Sequence, residues 1–233
     1  LLGRRFHTSI DRGTHLISAL LSNIGTMCGL CAYIIYGERG FAYAQIGSAL
    51  QNLTMVMLAF PIAQYYYLLH KSHGRRARLD ARGFLGLLIS WNQLSILGMA
   101  AGLALNAGGV VRPPVLAEAF SYLIHVSAWI AMLPIGSLIN FRRARHFIYL
   151  TLDMILLRFL LVPAATFTVA RLIINDPIIQ NSLVLFAGVP AAINATLTAR
   201  LYHLNVDYTI AVFLVTTVLY LCILFPITFF LFR

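Results

Sequence analysis

The sequence predicts an all-α integral membrane protein with seven transmembrane helices. Three observations predict it. Of 233 residues, 60% are hydrophobic and only 10% are charged, with a mean hydropathy of +0.84, whereas soluble domains carry about 25% charged residues. Seven stretches reach the roughly 20 apolar residues that a membrane-crossing helix needs. The basic residues collect on alternate connections between those stretches, as cytoplasmic loops do.

The spans follow in order. The first covers 14–36 and ends within the stretch Asn23 to Gly37, "NIGTMCGLCAYIIYG". The second covers 41–70 and closes on "QYYYLLH", an aromatic belt for the lipid–water interface. The segment 71–82, "KSHGRRARLDAR", is the one solvated basic loop. Spans at 83–107, 114–139, 148–174, 177–201 and 207–232 complete the chain. If 71–82 is cytoplasmic, twelve basic residues lie inside: Arg4, Arg5, Arg12, Lys71, Arg75, Arg76, Arg78, Arg82, Arg142, Arg143, Arg145 and Arg200. Four lie outside: Arg39, Arg112, Arg171 and Arg233. The first span then starts inside, and the C-terminus lies on the outer side of a plasma (inner) membrane. The net charge of +10 is accounted for by this bias, and no nucleic-acid partner is expected.

Two stretches resemble each other. Tyr36 to Ala63 and Tyr202 to Thr228 each open with Tyr after an apolar span, turn briefly, and run to Phe-Pro-Ile. Their spans have opposite orientations, the pattern of an inverted repeat, in which the helix before each hairpin is often broken near mid-membrane. In the second copy, "FAGVPAAINATL" puts Gly188 and Pro190 in the middle of 177–201. Proline removes a backbone donor and clashes inside a helix, at about 3 kcal/mol or more. Hydrocarbon cannot satisfy the freed groups, so such a break faces protein or a watery cavity. The first copy has Gly25 and Gly29 at a similar depth, beside polar Asn23 and Thr26. Cys28 and Cys31, a C-x-x-C, fall where the repeat places a break. With no further thiol or histidine pair beside them, they read as small side chains that admit close helix approach.

On these residues the chain resembles the auxin efflux carrier family, which includes bacterial malonate-transporter-like permeases. "NIGTMCGLCAYIIYG" looks like the family's first crossover motif, with Asn23, Gly25, Tyr36 and Gly37 matching. Cys28 stands at a Gly position and Leu30 at the Pro position, so that break is expected to be softer. "VPAAINATLTARLYHLNVD" is similar to the second motif through Pro190, Ala191, Asn194, Ala199 and Tyr202. "LRFLLVPA" and "LPIGSLI" also fit family patterns. The resemblance implies ten helices in two inverted five-helix repeats, with broken fourth and ninth helices that cross. The seven spans would be the fourth to the tenth, and the first three are expected to be missing. On that map, 1–70 ends the first repeat, 71–82 is the cytoplasmic loop and 83–233 is the second repeat.

The implied function is a permease for a small organic anion such as a carboxylate. Half-helix N-termini carry partial positive charge and free N–H groups. Asn23 and Asn194 add amide donors without a buried charge. These two are the candidate substrate contacts, with the backbone at Gly25, Gly29, Gly188 and Pro190; capping of the broken ends is a compatible reading. Arg158, His125 and Asn92 are candidates for an anion or proton path. Arg158 in mid-span costs at least about 2.5–3.5 kcal/mol on insertion scales, so it needs a role or a partner: an anion, lipid headgroups or carbonyls. Asp153, five positions earlier, is poorly placed to pair with it. For His125 a hydrogen-bonded core histidine is the expected reading ahead of a titrating group. Helix–helix hydrogen bonding explains Gln51, Asn52, Asn92 and Gln93 as well as a substrate path does.

Other classes find little support. The single lysine, Lys71, lies in a loop, which excludes a retinal Schiff base. There is no G-x-x-x-x-G-K-[ST], no H-E-x-x-H and no G-x-S-x-G, so no enzyme, metal or cofactor is expected. No Asp pair lies in mid-membrane. A seven-helix receptor and a non-transporting subunit derived from a transporter are the rival readings, and a homodimer is left open.

Overall fold

The computed structural model describes residues 8–72, 94–138 and 145–232. Among them the secondary structure is helical, with no strand and one isolated antiparallel backbone bridge. The loop 71–82 (beyond Ser72), the start of the expected span 83–107, Asn92 and Gln93 lie outside the described residues. Eight helices are used below. These are α1 (Ser9–Leu20), α2 (Ile24–Lys71), α3 (Leu94–Ala107), α4 (Pro114–Leu138), α5 (Arg145–Ile173), α6 (Pro177–Ala187), α7 (Ile193–Leu201) and α8 (Val206–Phe232). Helices α2, α5 and α8 are long and apolar enough to cross a membrane.

Helix α2 is two antiparallel limbs. Gly37 has φ 63° and ψ −147°, a conformation open to glycine and strained for other residues. Around it the chain doubles back: a Cβ on Gly40 would lie 2.3 Å from the Ala32 carbonyl oxygen, and one on Gly25 2.6 Å from Ser48 Oγ. Eight residues of straight helix would span about 12 Å, so Ala32 and Gly40 meet only because the chain reverses. The limbs 24–36 and 38–71 correspond to the end of the first expected span and to the second.

Pro61, Pro163 and Pro226 sit inside long helices without stopping them. Each follows a five-residue π-helical turn: Met55–Ala59, Leu157–Leu161 and Tyr220–Leu224. A wider i→i+5 turn absorbs both the missing N–H and the ring clash that proline brings. Both Phe-Pro-Ile stretches singled out in the sequence carry this device. A fourth π turn, Ile24–Cys28, opens α2.

Helices α1, α2, α5, α6, α7 and α8 pack into a bundle. One buried apolar cluster joins Ile17 of α1 and Leu21 just after it to Met55, Val56 and Phe60 of α2 and Ala195 of α7. A second joins Met27, Cys28 and Cys31 to Leu185, Val189 and Tyr220. Between these two clusters lie the interruptions that separate α1 from α2 and α6 from α7. Helices α3 and α4 stand largely apart. Helix α4 and the connection before it are tied by the Arg112–Glu38 ion pair at 2.8 Å, by Tyr33 to Ser121 at 3.3 Å, and by Phe120 packed on Phe41. Most described side chains on α3 and α4 are exposed.

Candidate functional site

The second interruption falls where the sequence predicts it. Helix α6 ends on Gly188, and Val189, Pro190, Ala191 and Ala192 are non-helical before α7 begins at Ile193. The first lies earlier than expected. The break is at Leu21, Ser22 and Asn23, which contain neither glycine nor proline, while Gly25, Gly29, Cys28 and Cys31 are already helical. Gly25 and Gly29 serve close packing instead. Their missing side chains admit Ser48, Gln45 and Phe41 from the second limb of α2. The C-x-x-C is thus within the packed limb, not at the break.

The two interruptions lie against each other as a minimal antiparallel ladder. Ser22 faces Ala191. Asn23 N–H donates to the Pro190 carbonyl at 2.9 Å, and Ala192 N–H donates to the Leu21 carbonyl at 3.1 Å. In an apolar interior every further backbone group needs a partner as well, and side chains supply them. The Gln51 amide pairs with both backbone groups of Ser22, accepting from its N–H at 3.0 Å and donating to its carbonyl. In effect Gln51 stands in for a third strand. Thr216 Oγ1 accepts from Ala191 N–H at 3.1 Å. Gln45 Nε2 donates to the Gly25 carbonyl at 3.1 Å.

Arg158 completes the set. It is 2% exposed and projects from the π turn of α5. One guanidinium nitrogen, Nη2, donates to the carbonyls of Ser18, Ala19 and Leu21. The other, Nη1, donates to Ser22 Oγ at 2.9 Å and to the Val189 carbonyl at 3.4 Å. A helix leaves its last carbonyls without intrahelical partners and carries partial negative charge there. Arg158 therefore caps the C-terminal end of α1 and reaches the end of α6 together. Of the open alternatives for this residue, the carbonyl partners are realised, inside protein. Asp153 does not pair with Arg158. Its Oδ2 lies 3.6 Å from His15 Nε2 on α1.

Asn23 is 6% exposed. Its Oδ1 accepts from Thr26 Oγ1 at 2.5 Å, while its Nδ2 is buried with no protein acceptor. Ser18 Oγ, Thr196 Oγ1 and Arg158 Nε are likewise buried without a protein partner. Asn194 is elsewhere. It lines a cleft of about 250 Å³ with Asn52, Met55, Phe60, Leu197 and Leu201, and no hydrogen bond joins it to Asn23. Gly188 caps α6, and Pro190 contributes its carbonyl to the ladder. His125 is exposed on α4, with Nδ1 on the Ser121 carbonyl at 2.8 Å and its ring edge-on to Tyr33. It is not brought to the ladder. The sequence reading did not anticipate Ser22, Gln45, Thr216 or the pairing of His15 with Asp153.

Neither the family models nor the curated proteins compared with this chain match it. The likeness to auxin efflux carriers thus rests on the motifs quoted above.

Proposed function

We propose that this chain is a secondary transporter, or part of one, for a small organic anion. The observation that carries the reading is the ladder at Ser22 and Ala191. Two apolar chain segments give up helical hydrogen bonds at one place between two apolar clusters. Interrupted helices at that depth are the common way to build a substrate site in such carriers. The ladder also leaves Asn23 Nδ2 as a buried donor in need of an acceptor, and a carboxylate oxygen is such an acceptor. The paired Phe-Pro-Ile stretches, each with a π turn before the proline, support a repeat. Alternating access would come from one half rocking against the other.

Asn23→Ala is expected to lower the rate of carboxylate uptake into proteoliposomes by about 10–100-fold, the worth of one hydrogen bond to a charged group. Asn194→Ala is expected to lower it less, because Asn194 faces the cleft beside Asn52 and not the ladder. Wild-type flux in both variants would remove the site. Carboxylate binding with no flux in the wild type would favour a receptor.

A further inference from the structure

We propose that His15 and Asp153 form a proton-binding site, and that its proton is the coupling ion of the carrier proposed above, the second half of which rests on that reading. His15 lies on α1, seven residues or about 10 Å before Ser22. It is 6% exposed and is held from two other helices. Nε2 lies 3.6 Å from Asp153 Oδ2 on α5, and Nδ1 lies 2.8 Å from the Tyr208 hydroxyl on α8. The Tyr208 hydroxyl is also 3.5 Å from the Leu150 carbonyl.

This arrangement has a hydrogen-bonding solution for either state of the ring. In the neutral ring, Nε2 carries the proton toward Asp153, and the Tyr208 hydroxyl donates to Nδ1. When a proton binds Nδ1, that nitrogen donates to the Tyr208 oxygen. The hydroxyl proton then turns to the Leu150 carbonyl. The cation so formed faces the Asp153 carboxylate. A histidine placed only for packing needs one such solution, whereas this one has two, and they differ by the orientation of a hydroxyl.

Burial of the ring opposes the bound proton most strongly, and the surrounding charges act beside it. Asp153 favours the bound proton. Asp11 lies one turn earlier on α1, tied by Asn205 Nδ2 at 2.9 Å, and also favours it. Arg158 on α5, docked on the Ser18 carbonyl one turn further along α1, opposes it. From the second limb of α2, Tyr66 packs against Gly13 and brings no charge. The proton therefore binds on the helix whose C-terminal end forms the ladder, between helices that meet that ladder through Arg158 and Thr216. Loading the site reverses the hydrogen bond between α1 and α8 at Tyr208 and adds a positive charge to the contact between α1 and α5 at Asp153.

The test follows the histidine ring resonances of the whole protein in lipid nanodiscs as pH is changed. One of the seven histidines, the one lost in His15→Gln, should gain its second ring proton reversibly as pH falls. Asp153→Asn removes the facing anion and should weaken proton binding at that ring by about tenfold or more. If His15→Gln fails to fold, the resonance that responds to Asp153→Asn makes the assignment. A ring that stays neutral down to the pH at which the protein unfolds, or one indifferent to Asp153→Asn, overturns the site. Flux tests the coupling: a pH gradient should accelerate carboxylate uptake by wild type and not by His15→Gln. Uptake indifferent to the gradient in the wild type overturns the coupling and leaves the transporter reading standing. No carboxylate uptake at all, with the titration intact, supports the proton site and removes the transporter.

Discussion

Replacing Arg158 by Met is expected to abolish the folded bundle. The side chain is buried and serves five acceptors: the carbonyls of Ser18, Ala19, Leu21 and Val189, and Ser22 Oγ. Leu21 keeps the Ala192 N–H, so three carbonyls lose the donor that Arg158 provides. A buried polar group stripped of its partner costs about 1–3 kcal/mol, which makes about 3–9 kcal/mol in all. Whole domains are stable by only about 5–15 kcal/mol. Relief from burying a charge offsets part of this loss, but Met supplies no donor. Lys has three donors on one atom and cannot reproduce the planar fork, so Arg158→Lys should fall between wild type and Met. Unfolding in mixed micelles, with size-exclusion profiles of the extracted protein, reads both. A stable, monodisperse Arg158→Met would show that these contacts contribute little.

The second large effect is expected at Gln51. Gln51→Leu keeps the apolar bulk and leaves Ser22 N–H without its acceptor, at about 1–3 kcal/mol. The Ser22 carbonyl retains Ile24 N–H at 2.9 Å, so the loss is smaller than at Arg158. Gln51→Glu should not rescue it. A carboxylate can accept from Ser22 N–H, but it has no donor for the Ser22 carbonyl and adds a charge in an apolar setting. The unfolding free energies of the two variants, compared with Asn52→Leu on the cleft side, make the measurement. Equal stability for Gln51→Leu and wild type would mean that water, not the amide, completes Ser22.

The second break was legible in the sequence because its chemistry is local. Gly188 and Pro190 disrupt a helix wherever they are placed, so the motif alone locates the interruption. The first break has no such marker. Leu21, Ser22 and Asn23 are compatible with a helix, and the interruption is held by partners distant in sequence: Gln51, Pro190 and Arg158. Reading Gly25 and Gly29 as break markers failed for the same reason, since glycine also permits two helices to approach, and here Ser48 and Gln45 use that space. A trace of the correct answer was present. Gln45, Ser48, Gln51 and Asn52 follow one face of the second limb of α2 at helical spacing, and a polar stripe in a membrane span needs polar partners. The pairing of His15 with Asp153 could not be read at all, because only the packing of α1 on α5 brings them together. The reversal at Gly37 was visible as the Tyr-Gly between two apolar runs.

The account depends on the ladder between the two interruptions. Its hydrogen bonds, Asn23 to Pro190 and Ala192 to Leu21, make Ser22 and Ala191 a non-hydrogen-bonded pair, whose Cα atoms are about 4.5 Å apart in antiparallel geometry. That spacing is within the range a disulfide can bridge. The most direct measurement is oxidative cross-linking in membranes of a chain carrying Ser22→Cys and Ala191→Cys, with Cys28, Cys31 and Cys222 replaced by Ala. Rapid intramolecular cross-linking, with none when the second cysteine is moved to the exposed Leu197 on α7, is the predicted result. A correctly inserted protein in which the cysteines at 22 and 191 never join would contradict the account.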